Sequence, residues 1–164
     1  MKNKIIMISI AILCLIFTGS SFAANPDFSG TWTLDKSKSE GLPPGMKQEM
    51  TVKQAGDKIS IETKLTTEQG EQVVPDSYTL DGKETEFTPK APDGSTGKGK
   101  RTAKWTDSGI EVKDISTFET PDGTVTVKMT RKWSLSADGK TLQIEINAEG
   151  PQGAQTIKRT FNKK

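Results

Sequence analysis

Histidine is absent from the chain, and its one cysteine, Cys14, lies in a stretch that reads as a removable leader. Lys2 and Lys4 precede the apolar run IIMISIAILCLIF, and small residues follow it, ending in SSFAA. That run is shorter than the about 20 apolar residues a bilayer span requires, so it reads as a signal peptide rather than an anchor. Ser21 and Ala23 satisfy the small-x-small rule for cleavage after Ala23, and Leu13 before Cys14 argues against lipidation. Residues 1–23 are therefore expected to be cleaved, leaving 24–164 as one domain in the periplasm or secreted, with no stable membrane insertion. The mature chain then has neither Cys nor His. Ser-His-Asp and Cys-His catalysis, disulfides and the usual zinc and copper sites are excluded. Carboxylates, Lys, Arg, Ser, Thr and the single tyrosine, Tyr78, remain, and no spacing marks a carboxylate pair. The chain is expected not to be an enzyme and to use no cofactor or metal.

A net charge of either sign is missing too. The leader takes two of the 23 basic residues, which leaves basic and acidic residues equal at 21 each. Lys and Glu are spread along every segment, and the densest basic stretch, Lys98 to Arg101, reads as a wet strand edge. No nucleic-acid partner is expected.

What the chain has in abundance is Gly-bearing turns: AGDK, EQGE, LDGK, PDGS, TDSG, PDGT, ADGK and GPQG recur at a regular beat. Between them run segments of period two, such as KISIETKL and KTLQIEINA, rich in β-branched residues. Nine runs from about Gln48 onward, preceded by SGTWTL, make ten strands. No amphipathic helix competes, and only a short turn is expected around Lys36 to Glu40. Successive hairpins favour neighbour pairing, so the expected fold is all-β: one antiparallel up-and-down meander barrel of about eight to ten strands, with a two-sheet sandwich as the alternative. Phasing by large apolar side chains turns Phe28, Trp32, Leu34, Met50, Val52, Ile59, Ile61, Leu65, Tyr78, Leu80, Phe87, Ala103, Trp105, Ile110, Val112, Phe118, Val125, Val127, Met129, Trp133, Leu135, Leu142, Ile144, Ile146, Ile157 and Phe161 inward.

The chain has three arginines, and each falls in the inward phase. Arg101 shares a face with Ala103 and Trp105, Arg131 with Met129 and Trp133, and Arg159 with Ile157 and Phe161, whereas lysines in the clear strands point outward. Guanidinium is planar, weakly hydrated and able to stack on rings, so it suits an interior better than ammonium does. An interior charge needs an anion, acceptors or water. Asp114 and Asp76 are in phase to supply that anion from within the protein. A ligand head group is the other source.

DFSGTWTLD resembles the opening strand of the calycin superfamily, which includes lipocalins and fatty-acid-binding proteins: Phe28, Gly30, Trp32 and Leu34 match its pattern. The last strand, IKRTFNKK, resembles the Arg-x-Tyr ending of fatty-acid-binding proteins, with Phe161 in place of the tyrosine. The chain is most similar to bacterial secreted lipocalin-like proteins. The resemblance implies a structural signature of Phe28, Gly30, Trp32, Arg159 and Phe161, in which Trp32 packs at the closed end and Arg159 covers its face. DKSKSEGLPPGM holds Gly and consecutive prolines where fatty-acid-binding proteins have a helix pair, so no such lid is expected.

The expected function is non-covalent binding of a small hydrophobic or amphipathic molecule, with an anionic group as its arginine partner, by a monomer. The ligand-binding residues are then Arg131, Arg159, Arg101, Trp105, Trp133 and Tyr78. The alternative is a ligand-free structural or interaction module with a solid core.

Overall fold

The computed structural model describes residues 25–164 except 69, 92 and 93, so the expected signal peptide lies outside the described residues. Ten strands follow in order: β1 (Gly30–Leu34), β2 (Lys47–Ala55), β3 (Lys58–Thr67), β4 (Gly70–Thr79), β5 (Asp81–Phe87), β6 (Lys98–Thr106), β7 (Gly109–Thr120), β8 (Gly123–Leu135), β9 (Thr141–Gly150) and β10 (Gly153–Lys163). The short turn is a 3-10 helix over Lys36–Lys38, capped by Asp35, whose carboxylate accepts from the Ser37 N–H.

Neighbours pair antiparallel in one sheet, ordered β4-β3-β2-β1-β10-β9-β8-β7-β6-β5. The sheet curls so that β1 meets β10, with Trp32 opposite Lys163 and Leu34 opposite Phe161. A single meander barrel, not a sandwich, is the architecture. Closure is incomplete. Only Leu80 separates β4 from β5 in sequence, yet these two are the edges of the sheet and leave a seam. Both edges are blunted against further pairing. On β4, Pro75 has no N–H and the Ser77 N–H is taken by the Asp76 carboxylate at 2.9 Å. The register of β5 on β6 is irregular between Asp81 and Glu84.

Alternation decides which face is wet. Phe28, Trp32, Met50, Val52, Ile59, Ile110, Val112, Trp133, Leu142 and Phe161 form a dry core, all from the expected inward set. This core fills the end of the barrel that carries the turns at Gly56, Ser108 and Asp138. Trp32 is fully buried, and its indole N–H donates to the Phe28 carbonyl at 2.9 Å. Toward the opposite end Leu65, Phe118, Val125, Val127, Met129, Ile146 and Ile157 keep the inward phase but are only partly buried. One end is therefore solid and the other open.

The segment between β1 and β2 runs beside β10 as a strap. The Asp35 N–H donates to the Thr160 carbonyl (2.8 Å), and the Glu40 N–H donates to the Lys158 carbonyl (2.9 Å). The Ser39 hydroxyl accepts from the Thr160 N–H at 2.9 Å. β10 thus stays paired beyond the end of β1, without the helix that Gly41, Pro43, Pro44 and Gly45 preclude.

Candidate functional site

Register places the chemistry in three successive rows across the inner face. Trp105, Ile110, Trp133, Ile144 and Arg159 form the row nearest the closed end. Ala103, Val112, Arg131, Ile146 and Ile157 follow, then Arg101, Asp114, Met129 and Ala148. Charged groups therefore sit between the dry core and the open, apolar-walled half.

Arg101, Arg131, Asp76, Asp114 and Tyr78 form one network. Asp114 accepts from Arg101 Nε (2.6 Å) and Nη2 (3.1 Å), and from Arg131 Nη2 (2.5 Å). Asp76 accepts from Arg101 Nη1 (2.6 Å) and from the Tyr78 hydroxyl (2.7 Å), and Tyr78 in turn accepts from Arg131 Nη1 (2.8 Å). The Arg101 guanidinium also lies 4.3 Å over the Phe87 ring and 4.8 Å over that of Tyr78. Asp76 and Asp114 are thus the protein anions that their in-phase positions anticipated. The two pairs tie β4 to β6 and β8 across the seam, where no backbone ladder does so.

Electrostatics separate the arginines. Burial works against the Arg101 charge, but the Asp114 hydrogen bond and the Asp76 and Asp114 charges outweigh it and raise its pKa. Burial pushes the Tyr78 hydroxyl well above its ordinary value, against the opposing pull of Arg131. Arg159 is the reverse case: burial lowers its pKa, and Glu40 offsets only part of that. Among the described residues its hydrogen bond runs from Nη2 to the Gly41 carbonyl of the strap, at 3.2 Å.

Three buried side-chain atoms have no partner among the described residues: Arg131 Nε, Trp133 Nε1 and Arg159 Nη1. All three are donors, and they belong to adjacent rows of the inner face. Buried donors are nearly always satisfied, so their common lack is an acceptor.

The structure divides the expected ligand residues. Arg101, Arg131 and Tyr78 come together, but chiefly on protein carboxylates. Trp133 packs edge-on against Phe28 and Tyr78, with centroids 6.0 and 6.4 Å away. Trp105 stacks on Phe28, and its N–H donates to Asp57 at 3.1 Å, so it belongs to the closed end. The expectation that Arg159 covers Trp32 is corrected. Lys163 lies over that ring at 5.2 Å, because register sets it directly opposite Trp32 and sets Arg159 opposite Ile144. Gly30 makes room for it: its φ of 139° favours glycine, and a Cβ there would meet Lys163 Cε at 2.8 Å.

Sequence reasoning missed the seam. A cleft of about 1120 Å³ opens there, with Arg101, Asp76 and Tyr78 in its wall beside outward-facing residues of β2 to β5. Period-two phasing cannot show which neighbouring strands fail to pair. Gly41 was missed as well, since a backbone carbonyl carries no side-chain signal.

No protein-family model and no curated protein sequence matches the chain. Among solved structures it is similar to human cRBP IV, at 21% identity and a TM-score of 0.53, over 85% of this chain and 99% of that one. It also aligns with zebrafish ileal bile acid-binding protein complexed with cholic acid, at 20% identity and a TM-score of 0.49, over 84% and 98%. A third match is the fatty-acid-binding protein from Manduca sexta, at 17% identity and a TM-score of 0.43, over 83% and 99%. In fold the chain is a nearly closed antiparallel meander barrel similar to that of cRBP IV. The likeness to cRBP IV is one of architecture across nearly the whole of that chain.

Proposed function

We propose that this barrel is an exported, monomeric carrier of a small amphipathic molecule bearing one negative charge. The observation that carries this reading is the set of three buried donors without an acceptor. Arg101 and Arg131 are paired with Asp76 and Asp114, whereas Arg159 makes no salt bridge among the described residues, and Glu40 offsets only part of the cost of its burial. One positive charge is left over, which suits a carboxylate or sulfonate. The partly buried apolar side chains toward the open end would cover the tail. Export is supported by the basic, apolar and small-residue regions of 1–23. The fold shared with cRBP IV agrees with a ligand-carrying interior.

The test is calorimetric titration with decanoate and with decanol, which differ in the head group. Decanoate is expected to bind one per chain, about tenfold to a hundredfold more tightly than decanol, since charge-assisted hydrogen bonds contribute about 1.5 to 3 kcal/mol. Arg159→Gln should remove most of that preference. Equal binding of the two, or a preference indifferent to Arg159→Gln, would contradict an anion site. Binding of neither would favour the second reading, a ligand-free module, which the internal pairing of Arg101 and Arg131 supports.

A further inference from the structure

The three unpartnered donors do not call for the same acceptor. Arg159 makes no salt bridge among the described residues, and its free Nη1 belongs to a charge that Glu40 offsets only in part. Arg131 differs, because its charge is already met: Nη2 donates to Asp114 at 2.5 Å, and Nη1 lies 3.6 Å from an Asp76 oxygen. The Trp133 indole is neutral, and the residue is only 4% exposed. A second anion beside Arg131 would face both Asp114 and Asp76, and like charges so placed oppose one another. One donor therefore calls for an anion and two call for a neutral oxygen. The unmet indole is particular to Trp133, since Trp32 donates to the Phe28 carbonyl and Trp105 to Asp57.

Position divides the donors in the same way. Arg131 and Trp133 are same-face neighbours on β8, about 6.6 Å apart along the strand. Both lie against Tyr78, Trp133 edge-on with ring centroids 6.4 Å apart and Arg131 through its hydrogen bond to the phenol. Arg159 stands on β10, with Ile144 of β9 between it and Trp133. Two strand spacings are about 9 to 10 Å, more than the oxygens of one carboxylate can bridge. Arg159 is also drawn the other way, toward the Gly41 carbonyl of the strap. Between the two donor groups the floor is apolar, made by Ile144 and, one row on, Ile146.

We propose that the carried molecule has a second, neutral oxygen, a ketone or amide carbonyl on its chain, which accepts from Trp133 Nε1 and Arg131 Nε while the anionic head meets Arg159. This deepens the carrier reading and rests on it for the anion. A carbonyl fits better than a hydroxyl, because indole and guanidinium are donors only and would leave a hydroxyl proton unmet. The chain between the two oxygens crosses Ile144 and Ile146, and the remainder passes Met129 toward the open end. Trp133 is then the residue that distinguishes an oxygenated acid from a plain one.

The experiment is calorimetric titration with dodecanoate, 7-oxododecanoate and 11-oxododecanoate, with the indole N–H signals followed by NMR. The 7-oxo acid is expected to bind about threefold to tenfold more tightly than dodecanoate, the worth of one or two neutral hydrogen bonds, and the 11-oxo acid to gain nothing. The Trp133 indole signal, assigned by its loss in Trp133→Phe, should move downfield with the 7-oxo acid and not with dodecanoate. Trp133→Phe should bring the ratio of the two affinities to about one. Arg159→Gln should weaken both acids and keep that ratio, so indifference to Arg159→Gln strikes the anion site, whereas a ratio of one in the wild type strikes the carbonyl site. Equal binding of dodecanoate and the 7-oxo acid, an indole signal that the ketone leaves in place, or the same gain from the 11-oxo acid would overturn the proposal. Should Trp133→Phe fail to fold, the wild-type affinities and indole shift decide it.

Discussion

Asp114 holds two guanidinium groups at once, accepting from Arg101 and Arg131 inside the barrel, and Asp76 supplies the second carboxylate. Pairs of this kind add little net stability, but losing one partner leaves the other buried and uncompensated. Tyr78 is the neutral member of the network and the chain's one tyrosine, so its titration is observable without interference. Burial raises its pKa, so folding favours the protonated phenol. The sign follows: its stabilising contribution is complete below the ordinary tyrosine value, about 10, and is lost as pH rises through the raised folded value. In an alkaline titration, phenolate absorbance should stay flat past about pH 10 and rise only together with loss of the sheet's circular dichroism. Phenolate forming near pH 10 with the fold intact would show that the hydroxyl is not buried as described. At this scale the sequence was partly legible. Three arginines in the apolar phase pointed to interior pairing, and Asp76 and Asp114 were in phase to provide it. The cation over Trp32 was not legible, since it depends on the stagger between β1 and β10, which alternation within either strand leaves open.

Among elements, β4 is distinctive because its free edge is kept from growing. Pro75 removes one donor and Asp76 caps another, while exposed Val73 and Val74 lie on the same strand. Pro75→Val would restore an N–H and add a β-branched residue on an apolar edge. Concentration-dependent self-association by sedimentation velocity is the expected result; a variant as monomeric as the wild type at every concentration would mean that Pro75 does not guard the edge. The outer face shows a different device. Lys104, Glu111, Lys132, Glu145 and Lys158 stand in one row across β6 to β10, alternating in sign. Exposed pairs of this kind contribute little each, but they favour one register, because a slip by one residue would bring outward charges onto the inner face. The strands themselves were readable from Gly-bearing turns and period-two runs. The seam was not, because β4 and β5 alternate as regularly as strands that do pair.

For the whole molecule, the central feature is asymmetry along the barrel axis. A dry aromatic core seals one end, a charged layer lies above it, and apolar side chains only partly buried line the rest. The order of strands followed from the successive hairpins, and the closed end at Trp32 from the resemblance of the opening strand. How far the packing extends did not, because Val125 and Val127 read in sequence much like the fully buried Val52 and Val112. Three unsatisfied donors next to an open apolar half are the basis for a carrier of an anionic amphiphile. The measurement that tests this most directly is native mass spectrometry on protein purified with its own leader and without solvent stripping, followed by extraction of whatever is released. The account predicts one bound amphiphilic monoanion per chain, lost in Arg159→Gln while that variant keeps the wild-type fold. A bare mass for the wild-type chain, or a bound molecule retained equally by Arg159→Gln, would contradict it.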